Sequence, residues 1–521
     1  MKRRMLITMA LAVLLSVSVV SGCGTAEIAE SEPNGRLASN ELPTLPPQGG
    51  EELPAATESP TLTADEIDAK VTEFVEYVRA GRFDEAFAMF DQSYAASSGI
   101  SADTLRSEWN EMAAVSGGFV REGKRGVIDQ SGYYLYSVTA DYETQGIMSV
   151  VVADSKGMIA DAQFAAAPLT VQTDAEDLPA GVAEKNLTIR SGGEYPLNAK
   201  LTYPANAEWD TPVPLFVLIS SINAHEMDYS TAFGPMYKQL AYQLAQAGMC
   251  VLRYDNWTFA YPMELYSNAD LAATFSVEEE VIADAIAAKE TAVADAKIAP
   301  DGDPPLDGLT FSKIYAVGHV FSGLLTPRIV EEGGFDGGII LSGSPEPFLD
   351  VLYQYYQELS VANAESQPDF PQTVEDEYAL AKGAKVIDDT SDADYARAPG
   401  IEGLTDEELP YVTYFGFPAY YLKTFDGKGS KEYFSTLRVP FLVLEVGKDD
   451  NITPKVGRDA YEKIVEESGA VDRVTIKYYE ELNGVFVEAP DTQLSAEELE
   501  KIPINPRVAA DIAEWAWTVA R

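Results

Sequence analysis

Apolar residues recur along this chain with two different periods, and the change from one to the other divides it. Ile67, Val71, Phe74, Val75 and Val78 fall three and four apart, the spacing of one helix face, and Thr63 stands where a cap belongs. A second helix carries Phe83, Phe87 and Phe90, and a third is predicted near residues 101–115. Alternating segments follow around 119–128, 133–142 and 148–153, with Gly157 at a turn before a last strand. From Leu178 onward, short apolar runs alternate with helical ones. Strands are predicted at 186–190, 199–203, 213–219, 250–254, 314–317, 338–342, 441–446 and 474–479, and helices beginning near Pro235, Val277, Gly323, Val456 and Pro506. That alternation predicts an α/β architecture, a mostly parallel sheet covered by helices on both faces. The long interval between Ser342 and Phe441 predicts a cap over about residues 346–436. Its aromatic stretch PYVTYFGFPAYYLKTF is suited to roofing a cleft or packing the cap on the body.

The first 60 residues follow neither period. MKRR precedes an apolar run from Met5 to Val20, and Val20-Ser21-Gly22-Cys23 comes next, the pattern of a signal peptide. Small residues directly before a cysteine resemble a bacterial lipobox, which implies a leader over residues 1–23 and a lipid on Cys23. Residues 24–60, rich in Glu, Pro, Ser and Gly, read as a flexible tether. The expected location is the cell envelope, with the protein anchored in the membrane through the lipid on Cys23 and facing away from the cytoplasm. A lipidated Cys23 would leave Cys250 without a disulfide partner, so stability has to come from burial. With 83 acidic and 37 basic residues the net charge is −46, a surface that repels nucleic acid and anionic head groups, so no nucleic-acid partner is expected.

Two resemblances sharpen the picture. The phrase FVEYVRAGRFDEAFAMFD resembles a family of unknown function that often precedes an α/β-hydrolase domain in exported bacterial proteins. Helices followed by a curved antiparallel sheet resemble the nuclear-transport-factor-2-like cone, here over residues 61–167, with Phe74, Phe83, Phe87, Phe90, Trp109 and Tyr134 as core. Residues 178–521 resemble an α/β-hydrolase of the serine aminopeptidase or prolyl-oligopeptidase-like esterase type. Gly318-His319-Val320-Phe321-Ser322-Gly323 is similar to its GHSLGG elbow, VPFLVLEVGKDDNITP to VLVLQGGRDYQVTP, and VLRYDNWTFAYP to VLRYDKRTYAYG.

That resemblance implies a catalytic triad, and the chain departs from it. A nucleophile elbow turns so sharply that small residues must flank it, and in this register its centre is Val320, which has no atom that can attack a carbonyl. Asp449 stands where the triad acid belongs. The base should occupy a phrase like GLNHLF, but Glu481-Leu482-Asn483-Gly484-Val485-Phe486 puts Gly484 there. The only histidines, His225 and His319, both precede Asp449. Ser220-Ser221 replaces the His-Gly of the oxyanion loop, whose other donor would be Phe321. The expectation is a pseudoenzyme that binds a ligand or partner through the former acyl-transfer cleft, with no cofactor and no metal.

Two other classes stay open. One is an active serine hydrolase with a relocated nucleophile at Ser322 or Ser221, or a metal version using His225, Glu226, Asp228 and Asp255. The other places the function in the small domain, with the large one as support.

Overall fold

The computed structural model describes most of residues 62–519. Residues 1–61, 168–177, 296–305, 363–369, 387–412, 449–456 and 489–497, several shorter stretches and the last two residues lie outside the description. The leader, Cys23, the tether and Asp449 are among them. The described chain divides into two compact units.

In the smaller unit, helix α1 (Ala64–Arg79) starts from a reciprocal cap. The Thr63 hydroxyl accepts the Glu66 N–H, and the Glu66 carboxylate accepts the Thr63 N–H, an arrangement worth about 0.5–2 kcal/mol. Its buried face is Ile67, Val71, Phe74, Val75 and Val78, the face that the spacing predicts. Helices α2 (Phe83–Phe87) and α3 (Ala102–Ser116) follow. Phe90 lies beyond α2, not within it, and bridges to Ile159. Strands β1 (Phe119–Gln130), β2 (Tyr133–Tyr142), β3 (Gly146–Asp154) and β4 (Ile159–Ala167) form an antiparallel meander in that order. Phe74 of α1, Trp109 of α3 and Phe90 are buried in one core cluster with residues of the sheet.

The larger unit is built on an eight-stranded sheet. Its strands are β5 (Val182–Ser191), β6 (Tyr195–Pro204), β7 (Val213–Ile219), β8 (Cys250–Tyr254), β9 (Phe311–His319), β10 (Gly337–Leu341), β11 (Phe441–Lys448) and β12 (Val474–Asn483). They lie in the order β5-β6-β8-β7-β9-β10-β11-β12. Strand β6 is antiparallel to both neighbours, and every pairing from β8 onward is parallel. A single exchange of β7 and β8 in an otherwise sequential sheet is the topology of the α/β-hydrolase fold. The parallel strands read as unbroken apolar runs because both faces are covered, and PLFVLI of β7 and CVLRY of β8 are buried throughout. Cys250, the first residue of β8, is therefore on an interior strand and wholly buried.

Helices α4 (Met236–Gln246), α5 (Trp257–Ala260), α6 (Ala283–Asp295) and α7 (Phe321–Gly333) connect these strands, and a π-helical turn, Glu278–Ile282, leads into α6. The predicted insertion supplies α8 (Phe348–Ala362), α9 (Phe370–Val386), α10 (Ala419–Thr424) and α11 (Ser430–Thr436). Helices α12 (Gly457–Glu467) and α13 (Pro506–Val519) complete the chain.

Candidate functional site

The site forms where β9 turns into α7, at the carboxyl ends of the parallel strands, where open α/β sheets place their ligands. Strand β9 ends at His319, α7 starts at Phe321, and the single residue between them, Val320, has φ 51° and ψ −105°. A β-branched residue on that side of the Ramachandran map is strained by about 1–3 kcal/mol. The surroundings hold it there. The Val320 N–H donates to Leu341 O at 3.0 Å, and Gly318 lets the first turn of α7 come close, since a Cβ there would collide with the Ser322 carbonyl and the Thr326 side chain. The backbone is thus that of a nucleophile elbow, while the side chain at its apex is an alkyl group, 3% exposed.

Ser322 is committed elsewhere. Wholly buried, its hydroxyl accepts the His319 N–H at 2.9 Å and donates toward Ile219 O at 3.0 Å and His319 O at 3.1 Å. It ties the elbow to the end of β7. Phe321 directs its ring onto Phe348, with centroids 5.3 Å apart.

The position that the resemblance assigns to the triad base is Gly484, which offers only backbone. Gly484 follows β12, and its carbonyl accepts the His319 Nε2–H at 2.7 Å. Burial pushes the His319 imidazole down to about 4, so the ring is neutral at pH 7. Its Nδ1 is buried with no hydrogen-bond partner among the described residues. Tyr229 stands edge-on to His319 and stacks on both His225 (4.5 Å) and Tyr237 (4.8 Å). His225 is likewise held at about 4, by burial and then by His319. The two histidines therefore share one aromatic cluster beside the elbow, which chain order alone does not reveal.

The loop after β7 is fixed by a residue that sequence reasoning passed over. Asn256 sends its side-chain N–H groups to Ser221 O (3.1 Å) and Asn223 O, while its Oδ1 accepts the N–H of His225 (3.1 Å) and of Phe259 (2.9 Å). Ser220 donates to Tyr254 O at 2.9 Å. Ser220 and Ser221 are both buried. Asparagine in the position of a short cap was the available signal.

A second unforeseen residue is Glu280, in the π-helical turn. Its carboxylate, 3% exposed, accepts the Asn223 N–H (2.8 Å), the Thr258 hydroxyl (2.8 Å) and the phenol of Tyr421 on α10. Burial raises its carboxyl above the usual range, and the three donors pull the other way. The insertion is also tied to the body by Arg328 to Thr424 O (2.7 Å) and by Val277 N–H to Thr424 Oγ1 (3.2 Å). Its rings follow: Phe425 stacks on Phe348 at 3.8 Å, and Phe417 stands edge-on to it at 5.4 Å. The aromatic stretch thus packs onto the first turn of α7 through Phe348. Nothing in the run Glu278-Glu279-Glu280 marks the one carboxylate that turns inward.

The metal version of the site is not assembled. Asp228 takes the Arg253 guanidinium at 2.7 Å, Glu226 takes the Ser230 N–H at 2.7 Å and the Asp228 N–H, and Asp255 takes the Met227 N–H at 3.0 Å. Among the described residues no group of three or more His, Cys, Asp or Glu side chains is arranged to hold a metal ion.

No protein-family model matches the chain. It is similar to esterase EstD of Thermotoga maritima, 24% identical over 455 residues, which are 86% of this chain and 95% of that protein. Among solved structures it is similar to an esterase of Pyrococcus furiosus, with 11% identity, 68% of this chain and 97% of that one covered, and a TM-score of 0.39. It is also similar to Est1E from Butyrivibrio proteoclasticus, with 14% identity, 64% and 98% covered, and a TM-score of 0.34.

Proposed function

We propose that this α/β-hydrolase-fold protein is a pseudoenzyme of the cell envelope, lipid-anchored at Cys23, that binds a small molecule or protein partner through the former acyl-transfer cleft. The observation that carries the reading is Val320: the elbow keeps its strained backbone and presents no nucleophile. Gly484, with its carbonyl occupied by His319, supports it from the side of the base. The net charge of −46 argues against nucleic acid as the partner.

A second reading is favoured by the likeness to an esterase: an active serine hydrolase acting on carboxylic esters with a relocated nucleophile. Ser322 suits that role poorly because its oxygen is buried and bonded. Ser221, in the oxyanion loop, is the remaining candidate.

A fluorophosphonate probe separates the two. The purified chain is treated with the probe, its intact mass is measured, and turnover of short acyl esters and aminoacyl amides is followed in parallel. The pseudoenzyme reading expects no adduct and no turnover. An adduct on Ser221 or Ser322, with turnover lost on its change to Ala, overturns it. Globomycin-sensitive processing at Cys23, with the mature chain in the membrane fraction, is the expected result for the anchor, and a Cys23→Ala chain that stays membrane-bound would remove it.

A further inference from the structure

Strand β1 (Phe119–Gln130) is the outer strand of the smaller unit's sheet, with β2 as its ladder partner among the described residues. Its other edge presents main-chain donors and acceptors in a row, a template for a further strand. Three of the eight large apolar side chains that stand exposed among the described residues belong to this one strand: Phe119, Val120 and Val127, at 46, 57 and 54%. The strand also differs from the rest of the chain in charge. FVREGKRGVIDQ carries three basic and two acidic residues, in a chain with 83 acidic residues against 37 basic ones, so repulsion between copies is weakest here.

The strand is complementary to its own reverse. About a two-fold axis between Gly123 and Lys124, Glu122 of one copy comes opposite Arg125 of a second, Arg125 opposite Glu122, and Val120 opposite Val127. A regular strand forbids that pairing, because side chains alternate between faces and residues three apart point to opposite sides. Strand β1 is irregular at this place. Its register against β2 shifts by one residue between Glu122, opposite Ala140, and Arg125, opposite Val138, so both lie on the face of Ala140 and Val138. Gly123 permits the irregularity, since a Cβ there would collide with Thr139. Bulges commonly guard an edge against pairing, but this one sits on the two-fold axis, where both copies carry it at the same point. The Glu122 side chain is 71% exposed and that of Arg125 32%. Glu122 accepts from Arg79 through Oε1, and Arg125 reaches Asp68 through Nε and Nη2, which leaves Oε2 and Nη1 to meet across the edge.

We propose that β1 is a homodimer surface, through which two copies of this chain pair antiparallel about that axis and join their four-stranded sheets into one. The symmetry gives each dimer two Glu122–Arg125 ion pairs and two Val120–Val127 contacts. The surface belongs to the smaller unit, and its failure would leave the pseudoenzyme reading untouched.

Sedimentation velocity of the purified chain over rising concentration, at low salt, tests it. The parent is expected to approach twice the mass of one chain and to stop there, since a two-fold edge closes on itself. Glu122→Arg and Arg125→Glu each turn both ion pairs into like-charge contacts, and each should weaken the dimer about tenfold or more. Glu122→Arg combined with Arg125→Glu reverses the pair and should restore the parent's affinity. The combination breaks the bonds to Arg79 and Asp68 as well, so its recovery cannot come from within one chain. A parent that stays monomeric at high micromolar concentration overturns the proposal. So does a mass that climbs past two chains, a dimer that neither single substitution weakens, or a combined variant that pairs no more tightly than the single ones.

Discussion

The imidazole of His319 donates its Nε2–H to the carbonyl oxygen of Gly484 at 2.7 Å, so the residue before the β9–α7 turn and the turn that follows β12 are tied through one neutral ring. The tie has a signature in acid. His319 is held at about 4 in the folded chain against 6.5 for a free histidine, so between those values the unfolded chain binds a proton that the folded one does not. Stability therefore falls as pH drops from about 6.5 toward 4, by up to roughly 3 kcal/mol for a group this buried. His319→Gln, whose amide nitrogen can take the place of Nε2, should flatten that loss in urea titrations at pH 4.5 and 7. His225, held at about 4 as well, keeps the rest of the slope. An unchanged slope would mean that the ring is protonated in the fold.

The strain at Val320 can be read by comparison with a valine that lacks it. Val320 and Val317 are both buried at the end of β9, but only Val320 has positive φ. Replacement by glycine removes the same side chain at both positions and relieves strain at one of them. Val320→Gly should therefore be about 1–3 kcal/mol less destabilising than Val317→Gly in denaturant unfolding of the large unit. Equal costs would show that the turn is relaxed.

Restoring the missing groups should require both of them. Val320→Ser alone puts a hydroxyl at the elbow with no base to take its proton, and is expected to give neither a fluorophosphonate adduct nor ester turnover. Val320→Ser with Gly484→His supplies nucleophile and base together, and is expected to gain turnover of a p-nitrophenyl ester that Asp449→Asn then abolishes. Such paired dependence is the non-additive behaviour of groups that act as a unit. Full activity in the single variant would mean that another base already serves the site.

Glu280 and Tyr421 make a separate prediction about the insertion. The Glu280 carboxyl is raised by burial, so its contribution is fully present below the unfolded value and declines as pH rises through the folded one. Glu280→Gln should consequently gain stability relative to the parent as pH rises above the ordinary carboxylate value. Tyr421→Phe removes the phenol that reaches Glu280 from α10. It should speed hydrogen exchange of the amides of residues 421–425 by about fivefold while leaving β7–β10 unchanged.

The sheet was legible because its evidence is local: each buried strand is an apolar run of the right length, and each helix carries its own period. The tight turn from β9 into α7 was legible for a related reason, since such a turn restricts the residues around it. What escaped depends on contacts across long separations. Asn256 acts on a loop more than thirty residues earlier, and Glu280 meets a tyrosine 141 residues away. A carboxylate in an acidic run looks like any other until the chain folds it inward. The two histidines looked unrelated in sequence, and only the stacking on Tyr229 brings them to one place. The helix expected near Val277 begins with a π-helical turn, and no period in the sequence announces the extra residue.

Cys250, on a strand with sheet neighbours on both sides, is wholly buried, and its thiol is held far from ionisation by that burial. A thiol reagent can reach it only when the packing that covers this end of β8 opens. At reagent concentrations where reclosing is faster than capture, the rate of labelling at this sulfur measures the fraction of molecules that are open there. The position thus gives the protein a built-in gauge of large-unit opening, against which any ligand can be scored by how much it slows the labelling.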